Sequence, residues 1–161
     1  HDELKKAYDW LVDQRETMHP VYAGDDVIDN MISGNKAMAV VYSGDGAYIM
    51  SENEDMDFFV PEQGSNVWYD SMVITKQCKD TKLANEFLNF MLREDVAKQN
   101  TEYVGYDSAV KSVYEYFRDD EYEGISACAP DISNPLNETF KYQDTELKEF
   151  CAGLWTKVKS Y

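Results

Sequence analysis

The sequence contains few of the residues that carry the commonest metal and nucleophile chemistry. Its 161 residues include two histidines, His1 and His19, and three cysteines, Cys78, Cys128 and Cys151, which form no CxxC pair. A structural zinc site needs four closely spaced Cys or His ligands, and a histidine-based triad needs a histidine beside its nucleophile. The sequence therefore argues against both kinds of site. The odd number of cysteines allows at most one disulfide within the chain, with one thiol left over.

The sequence also lacks the motifs of loops that bind cofactors or metal ions. No GxGxxG or GxxxxGK[ST] occurs, which excludes the usual phosphate loops. One acidic stretch resembles the start of a calcium loop through Asp119, Glu121, Glu123 and Gly124. A calcium loop needs a bidentate glutamate at its twelfth position, and Pro130 stands there instead. We therefore expect no cofactor and no metal.

Basic residues are few: 15 Lys and Arg stand against 31 Asp and Glu, which gives a formal net charge of -16. Binding to nucleic acid or to an anionic membrane needs clustered basic groups that neutralise phosphates. Neither is expected as a partner, and cationic partners are favoured. The sequence has no run of about 18 apolar residues, so we predict no membrane span. The 43% hydrophobic content is that of a globular protein.

Apolar residues recur at helical spacing along most of the chain. The spacing predicts helices over residues 4–15, 27–32, 47–50 and onward, 83–91, 96–103, 110–117 and 144 to the end. His19, followed by a proline, is expected to end the first helix. Asp80 or Thr81 is the expected N-cap of the 83–91 helix, and Asp95 that of the next one.

Three apolar runs predict strands. Residues 37–42 have the composition of a buried strand, and a Ser-Gly-Asp-Gly turn leads from them into a short helix. Residues 56–61 and 71–75 are the other two predicted strands. Strand, glycine turn and helix in succession are typical of α/β proteins. We therefore predict the α/β class.

The segment Trp68-Tyr69-Asp70 places one carboxylate next to two large aromatic side chains, immediately before the third predicted strand. A carboxylate supplies the counter-charge for an organic cation, and aromatic faces attract ammonium and CH₂ groups by about 0.5 to 2 kcal/mol each. A carboxylate flanked by aromatics also has little reason to be buried unless a cation meets it. The alternative is structural, since aromatic-Asp pairs also occur where a strand ends and an Asp caps the next turn.

The order of segments strongly resembles the spermidine/putrescine-binding proteins of ABC transporters. The resemblance rests on residues 41–44 (VYSG), 58–64 (FFVPEQG), 68–74 (WYDSMVI), 84–97 (ANEFLNFMLREDVA) and 104–106 (VGY). It covers nearly the whole chain but only about the second half of such a protein. The family implies a periplasmic-binding-protein-like (type II) fold, in which two α/β lobes close over a polyamine. On that basis we expect residues 1–66 and 118–161 in the second lobe and 67–117 in the first.

The resemblance also implies the residues that contact the ligand. Asp70 would pair with an amino group, and Trp68 would lie against the methylene chain. Tyr42 stands where the family commonly has a tryptophan, and Tyr106 matches a tyrosine that lines the pocket. Gln143 matches a glutamine that hydrogen-bonds an amine. Tyr42 and Tyr106 could instead be packed at element ends, and Gln143 could be no more than a helix-entry residue.

The resemblance implies a further acidic pair, which the family carries on a segment upstream of Leu4. We therefore expect one good counter-charge in this chain and much weaker polyamine binding than in an intact relative. The abrupt helical start predicts a longer parent protein, with any export signal upstream. The resemblance implies that this parent acts outside the cytoplasm, in contact with permease subunits. We expect the isolated chain to rearrange, self-associate or swap segments in order to cover Phe87, Leu88 and Met91.

Two other functions stay open at this level. The same clamp could bind another solute, such as an amino acid, a sugar or iron, although Asp70 with its aromatic neighbours argues against anions. An acid-base enzyme could use Asp70 and Asp107 as a carboxylate pair, although sequence spacing does not show that the two meet. The resemblance favours a binding protein without catalytic activity.

Overall fold

The computed structural model describes residues 1–121, 127 and 133–160, and most of its regular structure is helical. The helices are α1 (Asp2–Met18), α2 (Asp26–Ile32), α3 (Ser43–Glu52), α4 (Thr81–Met91), α5 (Glu94–Val104), α6 (Lys111–Tyr116) and α7 (Thr145–Ser160). A π-helical turn, Phe117–Glu121, follows α6, and two short strands are β1 (Asn66–Val67) and β2 (Glu138–Thr139). The chain divides into two compact units. The first unit is His1–Asp25 with Phe140–Tyr161, and the second unit is Asp26–Thr139.

In the first unit, α1 and α7 pack against each other. The Arg15 Nη1 group donates a hydrogen bond of 2.7 Å to the carbonyl oxygen of Val158, a buried residue of α7. Tyr22 and Trp155 meet edge to face, with ring centroids 5.0 Å apart. The predicted end of the first helix at His19 is confirmed: this residue adopts the left-handed conformation and closes α1.

The core of the second unit lies between α5 and α6. Its buried residues are Ala97, Val113 and Phe117, against which Val110 and Tyr116 pack. Full burial of an aliphatic or aromatic side chain contributes about 1.5 to 3 kcal/mol, so this small cluster holds the N-terminal part of α5 against α6. The helix α5 ends at Gly105, whose φ of 70° is a conformation that glycine adopts without steric cost. This turn determines where Tyr106, the next residue, lies.

The strands β1 and β2 form one parallel pair. Their register joins Asn66 to Glu138 and Val67 to Thr139. Next to the pair, the Ser65 N–H donates to Asn137 Oδ1 over 2.9 Å, and the Glu138 N–H donates to the Ser65 carbonyl over 3.0 Å. Because Trp68 directly follows β1, these bonds hold the chain at the point where the predicted site segment begins.

The predicted helices are confirmed, with two changes at their N-termini. The predicted turn at residues 43–46 is wrong, because these residues form the start of α3. Asp80 is the N-cap of α4, and its Oδ1 accepts a hydrogen bond of 2.9 Å from the Leu83 N–H. Asp95 is not the cap of α5, because Arg93 occupies that position. The Asp95 carboxylate instead forms a 2.6 Å ion pair with the Arg93 guanidinium, and this hydrogen bond holds the pKa of Asp95 below its ordinary value.

The three predicted strands are wrong. Residues 37–42, 56–61 and 71–75 have no regular strand structure, and much of their apolar surface faces solvent: Met38 is 71% exposed and Val73 is 79% exposed. Within the described ranges, the backbone groups of residues 71–74 make no hydrogen bond. A strand is stable only beside another strand that pairs its peptide groups. Apolar composition alone therefore did not produce strands, and in the described part of the chain the sheet expected of the α/β class is reduced to the β1–β2 pair.

Other sequence expectations concern cysteines, metals and membranes. Cys78 and Cys151 are free thiols, whereas Cys128 and most of the calcium-loop-like stretch lie outside the described residues. In the part of the chain that the structure describes, no group of three or more His, Cys, Asp or Glu side chains could hold a metal ion. None of the helices in these ranges combines the length and apolar character needed to cross a bilayer.

Candidate functional site

Three aromatic side chains from separate segments meet in the second unit. We call Tyr42, Trp68 and Tyr106 the aromatic cluster. The Trp68 ring contacts Tyr42 edge to face at 4.9 Å between centroids and an interplanar angle of 61°. It contacts Tyr106 in the same manner at 5.8 Å and 73°. Each such pair contributes about 0.5 to 1.5 kcal/mol beyond area burial. Three of the five predicted ligand-binding residues thus lie together, with Trp68 in the middle.

Each member of the aromatic cluster is held by a different local structure. Tyr42 precedes α3 in an extended conformation as its N-cap residue. Trp68 follows β1, and Tyr106 follows the Gly105 turn that ends α5. The Tyr106 ring lies directly over Gly44, at the start of α3. A side chain at that position would have kept the ring away, so the cluster depends on the glycine as well as on the aromatics.

Two carboxylates act on the Tyr106 phenol. Burial raises the pKa of Tyr106 most, and the negative charges of Asp45 and Asp70, together with Tyr42, raise the pKa further. Asp45 lies in the first turn of α3 and is half-buried. Asp70 was predicted from the sequence and Asp45 was not. Its position three residues after Tyr42, in the turn that starts a predicted helix, was the signal that could have identified it.

Asp70 itself is exposed. Water can solvate this group, so the aromatic neighbours of Asp70 do not by themselves require a bound cation. The support for Asp70 is its position: it follows Trp68 by two residues and its charge acts on Tyr106. An exposed carboxylate at the edge of an aromatic surface remains accessible to a ligand from solvent.

Gln143 belongs to the first unit and is exposed, two residues before α7 begins at Thr145. The aromatic cluster belongs to the second unit, so the geometry of the cluster is described without this residue. Its predicted hydrogen bond to an amine stays a prediction.

The arrangement favours binding of a cation over acid-base chemistry. Protein atoms around the Asp107 carboxyl raise its pKa by desolvation, although the residue as a whole is exposed, and the Arg118 charge opposes this shift. Asp70 is not among the charges that shift the pKa of Asp107. A general acid and its partner base must both reach the reacting group. The two carboxylates whose charges act on Tyr106, together with the faces of three rings, instead suit an ammonium group on a hydrocarbon chain.

Comparison with known proteins places the chain in a family. A family model described as bacterial extracellular solute-binding protein matches residues 1–129. The putrescine-binding periplasmic protein PotF of Escherichia coli (strain K12) is 25% identical over 165 residues, which cover 99% of this chain and 44% of the relative.

Two further relatives match shorter parts. The spermidine/putrescine-binding periplasmic protein of Escherichia coli (strain K12) is 29% identical over 106 residues, 65% of this chain and 30% of that protein. The norspermidine sensor of Vibrio cholerae is 38% identical over 72 residues, 44% of this chain and 20% of that protein. The chain thus spans less than half the length of these relatives. Since the family model matches well over half of the chain, the protein belongs to the bacterial extracellular solute-binding protein family.

Proposed function

We propose that this chain carries part of a polyamine-binding site in the extracytoplasmic solute-binding component of an ABC importer. The observation that carries the proposal is the aromatic cluster with Asp45 and Asp70 beside it. Relatives named for binding putrescine and spermidine support the same ligand class. The ligand would be captured and released unchanged.

The chemistry of the proposed site follows from its groups. An ammonium about 4 Å from a carboxylate gains on the order of 4 kcal/mol at an effective dielectric of 20, before desolvation is subtracted. Asp70 would take one such ammonium at the exposed edge, and the Trp68 face would cover the adjacent methylenes. Tyr42 and Tyr106 would limit the site on either side of Trp68. Gln143 would add a hydrogen bond to an amine.

Asp45 modifies the expectation of a single counter-charge. It is a second carboxylate whose charge acts on the same tyrosine as that of Asp70. A diamine needs a counter-charge at each end, and Asp45 is the candidate for the second one. Because Asp45 is half-buried and Asp70 is exposed, we expect the first amine to enter past Asp70 and the second to be held less hydrated near Asp45.

The two-lobe architecture and the permease partner are also part of the proposal. We propose the two-lobe clamp, with residues 1–66 and 118–161 in the second lobe and 67–117 in the first. Ligand would favour the closed clamp only to the extent that it binds that form more tightly than the open one. The closed form would then engage the permease subunits outside the cytoplasm.

The test is calorimetric titration of the chain with putrescine and spermidine, before and after Asp70→Asn. A hydrogen bond to a charged group is worth about 1.5 to 3 kcal/mol, so we expect Asp70→Asn to weaken binding by at least about tenfold. Glu54→Gln is the matched control, because it removes one exposed carboxylate at the turn after α3, outside the aromatic cluster. Equal affinity of Asp70→Asn and Glu54→Gln would exclude Asp70 as a ligand residue.

Two alternatives make different predictions in the same assay. A clamp for another solute would bind that solute and show no competition by diamines. An acid-base enzyme would return a chemically altered ligand and a pH-rate profile with carboxylate pKa values. Recovery of unchanged putrescine after prolonged incubation, measured by mass spectrometry, supports the binding protein.

A sensing role is a further candidate because one relative is a norspermidine sensor, and failure of the loaded protein to stimulate a reconstituted importer would favour it.

A further inference from the structure

We propose that Gly44 is a positioning residue of the site: its missing side chain lets the Tyr106 ring lie on the first turn of α3 and so sets the separation of Tyr106 from Trp68. The consequence of Gly44 for ligand binding rests on the proposed function, whereas the effect of Gly44 on the position of Tyr106 does not. Gly44 itself is buried and carries no group that could contact a ligand.

The distances leave no room for even a methyl group. A Cβ atom at Gly44 would lie 2.6 Å from Cζ, 2.7 Å from Cε2 and 3.0 Å from Cε1 of Tyr106. Carbon atoms make favourable contact at about 3.5 to 4.0 Å, so the ring would have to move by roughly 1 Å. All three atoms belong to the phenol end of the ring, which means that the ring lies across the glycine.

The backbone around Tyr106 restricts how the ring can move. Gly105, which precedes it, lies close to the Gly44 backbone, since a Cβ built there would lie 3.5 Å from the Gly44 oxygen. The Tyr106 ring also contacts Trp68, at 5.8 Å between ring centroids. A side chain at Gly44 would therefore turn the Tyr106 ring away from α3 by rotation about its own side-chain bonds. The phenol would leave the neighbourhood of Asp45 and Tyr42 and become more hydrated.

The same helix offers a matched control. A Cβ at Gly46 would lie 2.5 Å from Cδ2 of Phe58 and 3.1 Å from its Cγ. Gly46→Ala therefore introduces an equally short contact with an aromatic ring, two residues further along α3. Phe58 is not a member of the aromatic cluster. Any general effect of overpacking α3 should appear in both variants, whereas displacement of Tyr106 should appear only in Gly44→Ala.

The first experiment follows the tyrosine resonances by NMR during a pH titration of ¹³C-tyrosine-labelled protein. The chain has 12 tyrosines, and Tyr106→Phe identifies the resonance of interest. We expect the Tyr106 signal to shift and its pKa to move down towards the ordinary value in Gly44→Ala, because burial is the main cause of the raised pKa. Gly46→Ala should leave that signal in place. An unchanged Tyr106 titration in Gly44→Ala would overturn the proposal.

The second experiment is a double-mutant cycle on stability. Gly44→Ala should lower the urea midpoint in the wild-type background, because the new methyl group meets the ring. In the Tyr106→Ala background the same change should leave the midpoint unchanged or raise it, since alanine favours a helix over glycine. An equal loss in both backgrounds would show that Gly44 acts on something other than Tyr106, and would overturn the proposal.

Titration with putrescine connects the geometry to binding. An aromatic pair contact is worth about 0.5 to 1.5 kcal/mol, so Gly44→Ala should weaken binding by about two- to tenfold, and Gly46→Ala should not. If the wild-type chain binds no polyamine, the proposed function fails while the NMR titration and the cycle still decide the role of Gly44. If Gly44→Ala displaces Tyr106 and affinity is unchanged, the positioning role in binding is refuted.

Discussion

The second unit contains two apolar regions that differ in how they are built. The aromatic cluster joins three segments through ring contacts at 4.9 and 5.8 Å. The other region, which we call the apolar groove, encloses about 440 Å³. It is lined by Met72, Val73, Ile74, Thr75, Cys78, Ala84, Phe87 and Leu88. Phe87 is still 56% exposed, and α4 contributes no buried residue.

The difference between the aromatic cluster and the apolar groove shows that apolar composition alone does not decide whether side chains pack against one another. The segment that ends in Asp70 passes directly into the segment that lines the apolar groove, which was predicted to be the strand 71–75. Trp68 is fixed because β1 pairs with β2 just before it. Residues 71–74 have no such pairing within the described ranges and stay exposed. Long-range backbone pairing, and not hydrophobicity, separates the ordered site from the groove.

The largest expected effect is a loss of stability, and it is tested by removing one aromatic side chain from each region. Trp68→Ala should lower the free energy of unfolding by about 2 to 3 kcal/mol, towards the lower end of values for buried aromatics, because Trp68 is half-buried and contacts both tyrosines. Phe87→Ala should cost less than about 1 kcal/mol because its ring is mostly exposed. Urea unfolding measures both. Equal losses would remove the distinction between the two regions.

The next effect concerns the carboxylate that the sequence did not indicate. We expect Asp45→Asn to weaken putrescine binding by about tenfold, or 1.4 kcal/mol, because a half-buried counter-charge is lost. Glu52→Gln, at the other end of α3, removes an exposed carboxylate from the same helix and is the control. The comparison is made by calorimetry. An affinity that falls equally in both variants would indicate only the effect of net charge.

The apolar groove gives the third prediction, which concerns self-association. We expect the isolated chain to associate weakly as its concentration rises, because the groove exposes contiguous apolar surface. Phe87→Ser should reduce association in sedimentation velocity runs. The exposed aromatic Tyr103, on α5, is not among the residues that line the groove, so Tyr103→Ser should leave association unchanged. Strictly monomeric wild-type protein would refute the expectation.

The smallest effect is in the pH dependence of stability. The folded protein holds the Tyr106 proton more tightly than the unfolded chain does, because its pKa is raised. Its contribution to stability is therefore fully present below the unfolded pKa of about 10 and is lost as the pH rises through the folded pKa. Urea midpoints measured between neutral pH and strongly alkaline pH should fall less for Tyr106→Phe than for the wild type. The same slope for both proteins would contradict the shift.

Sequence reasoning predicted more of the site than of the sheet. Helical periodicity located the helices, and local chemistry identified the Asp80 cap, because both depend on nearby residues. Tyr42, Trp68 and Tyr106 were identified by resemblance, and they lie together. The predicted strands were wrong because a strand must pair with a segment that is distant in sequence, and the periodicity of one segment carries no information about such a partner. Asp45 was missed for a related reason. Its charge acts on Tyr106, which is remote from it in sequence.

The β1–β2 pair also has a consequence for the order in which the second unit folds. Ser65 and Asn137, joined beside it, are 72 residues apart in sequence. Contacts over such separations close long loops and slow folding, whereas helices form from local contacts. The helices α4, α5 and α6 all lie inside this loop and can form before it closes. Because β1 directly precedes Trp68, we expect Trp68 to reach its tyrosine neighbours only after the loop has closed. In a variant with Trp10→Phe and Trp155→Phe, Trp68 fluorescence should report that last step of folding and separate it from the earlier gain of helix.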